Sequence, residues 1–199
     1  MNVKRRTQAE RSEHTSSALL AAARRLFAKR SYGSVGTEEI VREAGVTRGA
    51  LYHHFEGKEG LFLAVYEEIE GELTQAIAEK ALAQEDPWEQ LRTGVEMWLD
   101  ACREPEVQQI ALIDAPAVLG WERWREIGAR YGLGVIKLGL QNAMDAGQIG
   151  ARPIDPLAHM LLGALDEGGL LLARAEHPDS TRQAIAANIQ AMLEGFRPR

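Results

Sequence analysis

Apolar residues recur along the chain at intervals of three and four, the period of helices packed by one face. Ala18, Leu19, Ala22, Leu26 and Phe27 form the first stripe and predict a helix to about Arg30, starting at either Thr7 or Ser12. A shorter stripe, Ile40, Val41 and Ala44, follows Thr37, whose hydroxyl suits the capping position, and stops at Gly45. Thr47 caps a third helix to about Phe55, with Ala50, Leu51 and Phe55 turned inward. A long helix starts at Lys58, carries Leu61, Phe62, Val65, Ile69, Leu73 and Ile77 on one face, and ends near Gln84. Asp86-Pro87-Trp88-Glu89 reads as a cap, a proline at the first helical position and a capping box for a helix to about Cys102. A short segment, 106–113, is expected to break at Asp114-Ala115-Pro116. A helix rich in aromatics and glycine spans about 119–146. Asp155-Pro156 starts another over 157–174, and the last covers about 181–196. The fold class is all-α, with about nine helices.

Residues 37–58 stand out within this pattern. Two short helices around a turn with a central glycine make a helix-turn-helix. The second of them is short, and Arg48, Gly49, Tyr52, His53 and His54 are polar, small or amphipathic. A helix entering the major groove of DNA needs small residues for close approach and donors such as arginine for guanine edges or phosphates. An αα-hairpin inside a helical domain, with Tyr52 and the histidines at the core edge, satisfies the same pattern. Periodicity alone leaves both readings open.

The wider motif separates them. Ala23-x-x-Leu26-Phe27 is followed by Tyr32-Gly33, Thr37-x-x-Ile40 and Ala44-Gly45-Val46. Then come Gly49-Ala50-Leu51-Tyr52-x-His54-Phe55, Lys58 and Leu61-Phe62. In order and spacing this resembles the DNA-binding domain of the TetR/AcrR family of bacterial transcription regulators, over roughly residues 12–65. The resemblance implies a helix-turn-helix domain over residues 1–57 and a helical effector-binding and dimerisation domain over 58–199. It implies a homodimer that contacts a double-stranded DNA operator through Thr37, Thr47, Arg48, Gly49, Tyr52, His53, His54 and Lys58. Lys58 takes its phosphate role from the matching lysine of the family; a plain surface lysine is the alternative.

Charge agrees with that division. The total is −6, yet residues 1–60 hold eleven Lys/Arg against seven Asp/Glu, and the remainder twelve against twenty-two. The basic part is the helix-turn-helix part, where phosphates would lie. Arg24, Arg25, Lys29 and Arg30 are either a solvated face or an addition to this field. Lys4, Arg5 and Arg6 are either a disordered terminus or an arm along DNA. The N-terminus lacks the apolar core of a secretory signal, no apolar run is long enough to span a bilayer, and the lone Cys102 excludes an intrachain disulfide. A cytoplasmic protein is expected, with Cys102 as a buried small hydrophobe.

Catalytic chemistry finds no foothold. There is no H-E-x-x-H, no phosphate-binding glycine loop, no G-x-S-x-G and no Glu-x-x-His pair. His53 and His54 are adjacent and diverge by about 100° on a helix, a poor pair of ligands for one metal. No enzyme activity, metal or cofactor is expected. The C-terminal part offers Met97, Trp98, Asp114, Trp121, Trp124 and His159 as candidate effector contacts. The aromatics either line a cavity or fill a core, and Asp114 either orients a polar effector or caps the next helix. The last two helices carry leucines, glycines and the stripe Ala184, Ile185, Asn188, Ile189, Met192 and Leu193. They form half of an intersubunit four-helix bundle or complete the monomer's own core. The expected function is a DNA-binding regulator, a repressor released from a pseudo-palindromic operator by a small molecule. An activator, a ligand-independent regulator, or a helical carrier or enzyme that never touches DNA are the alternatives.

Overall fold

The computed structural model describes residues 7–198, so the basic run Lys4, Arg5 and Arg6 lies outside the described residues. Those residues are helical throughout, with no strand among them. Helix α1 (Gln8–Lys29) starts at a capping box: Glu10 N–H donates to the Thr7 hydroxyl at 3.2 Å, and Thr7 N–H to the Glu10 carboxylate at 2.6 Å. The earlier of the two candidate starts is therefore used. A 3-10 turn, Tyr32–Ser34, leads to α2 (Thr37–Ala44) and α3 (Arg48–Phe55). Thr37 is not the cap of α2. Gly36 holds that position, and Thr37 is the first helical residue, with no capping bond from its side chain. Gly45 ends α2 at φ 68°, where a side chain would be strained, and Val46 N–H closes the turn on Val41 O at 3.0 Å. Thr47 does cap α3, accepting from Ala50 N–H at 3.3 Å.

Helix α4 (Lys58–Leu82) packs against α1 and α3. Gly60 sits where a Cβ would fall 1.8 Å from the Phe55 carbonyl oxygen, so α3 and α4 meet as closely as backbones can. Leu19, Ala23, Phe27, Val35, Ile40, Val41, Leu51, Leu61, Phe62 and Val65 close the core of this region.

Helix α5 (Pro87–Ala101) begins as expected, with Asp86 Oδ1 accepting from Trp88 N–H at 3.0 Å. Glu89 does not complete the box; it pairs with Arg92 at 2.9 Å. The expected break at Asp114-Ala115-Pro116 does not occur. A π-helical stretch, Val107–Asp114, runs directly into α6 (Ala115–Leu119). Pro116 falls just after the π turns give way to α turns, where its missing N–H and ring are tolerated. The break comes at Gly120, φ 82°, before α7 (Trp121–Asp145). Helix α8 (Ile154–Ala173) starts one residue before Asp155, which is no cap and instead pairs with Lys137 at 2.6 Å. Helix α9 (Pro178–Glu194) closes the fold. A second core of α5, α7, α8 and α9 side chains lies around Leu91, Leu99, Leu140, Leu157, Leu161, Ile189 and Leu193.

Candidate DNA-reading face and internal cavity

Helix α3 presents two unlike faces. Leu51 is fully buried against the core, while Arg48, Gly49, Tyr52 and His53 are exposed and His54 is half-buried. Arg48 lies over the Tyr52 ring at 5.6 Å and pairs with Glu38 of α2 at 3.0 Å. Tyr52 and Glu38 raise the pKa of the guanidinium, so it stays charged. Both partners of the ion pair are largely exposed, which makes it weak and exchangeable for a phosphate or a base edge. Gly49 meets only the Thr47 hydroxyl, 3.9 Å from where its Cβ would stand. Nothing inside the protein requires glycine at this position. Thr37 and Thr47 lie at the starts of α2 and α3, where free amides and the helix dipole favour an anion.

Lys58 behaves differently. Its ammonium donates to the Tyr32 carbonyl at 2.6 Å and sits 3.8 Å from the centre of the Tyr32 ring. Partial burial lowers its pKa, against the opposing field of Asp114. To reach a phosphate the side chain would have to leave Tyr32. Of the basic residues expected to add to the field, Lys29 is exposed, while Arg24, Arg25 and Arg30 are engaged. Arg24 bonds both oxygens of Glu106 at 2.8 Å and pairs with Glu72 and Glu68, Arg25 pairs with Glu43, and Arg30 with Glu39. They tie helices together and do not form an open basic field.

Asp114 neither caps α6 nor faces the cavity. Its Oδ2 accepts the Tyr32 backbone N–H at 2.7 Å, across the junction between the helix-turn-helix and the rest of the chain. Tyr32 is thus held at both ends of its main chain, by Asp114 at the amide and by Lys58 at the carbonyl. Together with Arg24–Glu106 this fastens the π stretch to the reading head.

A cavity of about 100 Å³ lies between α4, α5, α7 and α8. Tyr66, Glu70, Leu73, Thr74, Ile77 and Ala81 line it from one face of α4. Trp98 from α5 and Trp124 from α7 reach it, as does Leu112 from the π stretch. Gly128 opens it further: a Cβ there would meet nothing within 4 Å. Of the six residues named as candidate effector contacts, Trp98 and Trp124 line this cavity. Trp121 is 57% exposed over a shallow surface dip, His159 is exposed, and Met97 and Asp114 do not line the cavity. Two carboxylates that the sequence did not single out do line it. Burial pushes Glu70 up to about 7, against the hydrogen bond from the Tyr66 hydroxyl. Burial raises Asp166 to about 6, against its ion pair with Arg125. Their register was readable: Glu70 lies one turn from Tyr66 and Leu73, and Asp166 one turn from Leu162.

Among the described residues no helix is long and apolar enough to cross a membrane. Residues 19–65 match the family of bacterial regulatory proteins named for TetR, and residues 88–196 match a tetracyclin repressor-like C-terminal domain. The chain superposes on the crystal structure of a TetR-family transcriptional regulator from Pectobacterium atrosepticum with a TM-score of 0.86 and 32% identity, covering 98% of this chain and 99% of that one. It is 28% identical to the Tn10 TetC protein of Escherichia coli over 78% of this chain and 79% of that protein. It is 40% identical to the transcriptional regulator CymR of Pseudomonas putida, over 38% of this chain and 37% of CymR. With the second family match covering more than half the chain, and the reading helix and its core in place, the chain belongs to the TetR family of DNA-binding transcriptional regulators.

Proposed function

We propose that the chain is a homodimeric repressor that leaves its operator when a small molecule enters the cavity. Residues 1–57 act as the reading head and 58–199 as the sensing and dimerising part. The observation that carries the reading is the junction between them. Leu112 lines the cavity, the Ala111 carbonyl accepts from Trp124 Nε1 at 2.9 Å, and Asp114 holds the Tyr32 amide. A ligand that moves Trp124 or Leu112 displaces the same π stretch that grips the reading head. Only a ligand with different affinities for the two positions of that stretch shifts the equilibrium.

Dimerisation is supported by the outer face of α8 and α9. Met160, Leu171 and Met192 are 63%, 53% and 44% exposed, and Ala184, Ala187 and Ala191 lie beside them on exposed positions of α9. The long stripe of α9 is wider than its core contact: Ile189 and Leu193 face inward while Ala184, Asn188 and Met192 face out. A two-fold axis through this face would set two α3 helices to read half-sites about 34–36 Å apart.

The test is binding to the DNA flanking the protein's own gene at two salt concentrations. Saturable binding at a pseudo-palindrome, weakened by salt, is expected. Arg48→Ala should cost about 1–3 kcal/mol on that site and relax its specificity. An equal loss on random DNA would reduce Arg48 to a phosphate contact, and no DNA affinity even at low salt would refute the reading.

A further inference from the structure

We propose, building on the assignment of the cavity as the effector site, that its ligand is an organic cation: a protonated amine on an apolar body. Most side-chain donors around the cavity are already engaged; the Thr74 hydroxyl is the neutral exception. Trp98 Nε1 donates to the Leu165 carbonyl at 3.1 Å and Trp124 Nε1 to the Ala111 carbonyl at 2.9 Å. Gln90 donates to the Gln84 carbonyl and accepts from Asn142, each at 2.9 Å. Arg125, the guanidinium beside Asp166, is bound to that carboxylate. The acceptors are in excess. Glu70 is 6% exposed, lines the cavity, and makes no ion pair among the described residues.

This inventory discriminates between ligand classes. A carboxylate or phosphate entering the cavity would meet two carboxylates and no free cation. A neutral hydrocarbon would leave Glu70 desolvated with only the Tyr66 hydroxyl as partner and no cation. An ammonium supplies the missing charge and donors, and the rings of Tyr66, Trp98 and Trp124 add apolar and cation–π surface. At about 100 Å³ the space is smaller than the roughly 150 Å³ that takes a benzene ring, so an aryl body enters by displacing its walls. The titratable and charged groups around Glu70 are Tyr66 on its own helix, Cys102 on α5, Arg125 and Tyr131 on α7, and Asp166 on α8. Of these the one cation is already taken by Asp166. Glu70 is partly protonated near neutrality, so an ammonium must expel that proton as it binds.

The full-length protein, without DNA, is titrated with 2-phenylethylamine, 3-phenylpropionate and n-propylbenzene, and binding is followed by tryptophan emission and by calorimetry in buffers of different ionisation enthalpy. The amine should bind at least tenfold tighter than the anion or the hydrocarbon, and should release a fraction of a proton near pH 7. Glu70→Gln should weaken the amine at least tenfold and leave n-propylbenzene within twofold, which shows that the cavity is intact. Equal or tighter binding of the anion or the hydrocarbon, an unchanged amine affinity in Glu70→Gln, or binding of none of the three would overturn the assignment. If the variant fails to fold, the amine-to-anion preference of the native protein decides by itself. Amine binding that leaves operator affinity unchanged would keep the ligand class and refute the effector role.

Discussion

The helix-turn-helix head and the part proposed to sense a ligand solve opposite problems with the same material. Around α1–α3 the core is closed, Arg24, Arg25 and Arg30 have partners, and α3 and α4 touch backbone to backbone at Gly60. Around the cavity the packed helices enclose unfilled space, Gly128 adds to it, and two carboxylates are buried at a cost. A surface that must match the geometry of DNA gains from rigidity. On the proposed function, a chamber that responds to a ligand gains from unfilled space and unfavourable charge, because the ligand can relieve both.

The largest expected effect comes from breaking the rigid half. Gly60→Ala forces a Cβ into the Phe55 carbonyl and should destabilise by about 3 kcal/mol, as overpacking does, with DNA binding lost at the same time. Urea unfolding measures it, and an unchanged midpoint would show that the α3–α4 contact is loose. The sensing half should reveal itself through pH. Glu70 has a folded pKa of about 7, raised above its ordinary value of 4.5, so the native state binds the extra proton between those values. Stability should therefore be fully present below pH 4.5 and fall by up to about 3 kcal/mol as pH rises through 7. Glu70→Gln should flatten that slope in unfolding curves taken from pH 5 to 8.

The join between the halves comes next. Asp114→Ala leaves the Tyr32 amide without its partner and should cost about 1–2 kcal/mol of stability. Operator affinity should survive while its response to ligand shrinks; a response of undiminished size would move the coupling to α4 alone. The smallest effect sharpens the contrast at the DNA face. Gly49→Ala meets no neighbour closer than 3.9 Å and should stabilise α3 by up to about 1 kcal/mol through helix propensity, yet weaken operator binding. A variant that gains stability and keeps full affinity would show that no groove wall approaches position 49.

What was legible in the sequence follows the same division. The helix-turn-helix was readable because its signals are local: Gly45 stops one helix, Thr47 starts the next, and Leu51 marks the inward face. The error there was a single step, Gly36 and not Thr37 taking the cap, because the side chain of Thr37 makes no bond that only a cap could make. In the sensing part the decisive features are tertiary. Asp114 looked like a helix start because it precedes Ala-Pro, and its true partner is an amide eighty-two residues away. Glu70 was hidden in a run with Glu67, Glu68 and Glu72, which reads as a solvated face until the helix is turned and Tyr66 and Leu73 are seen on either side. Trp121 and Trp124 were indistinguishable by type, and only the start of α7 at Gly120 puts one in solvent and the other in the cavity.

The grip on Tyr32 has an evolutionary consequence. Asp114 and Lys58 hold the main chain of residue 32, so any side chain there except proline keeps the amide that Asp114 needs. The two main-chain bonds would therefore outlast a change of side chain at 32, although the ring contacts with Lys58, Phe27 and Phe62 would be lost. Heritable tuning of the link falls on positions 58 and 114, and a lineage that changes its ligand can rebuild the chamber while inheriting the joint intact.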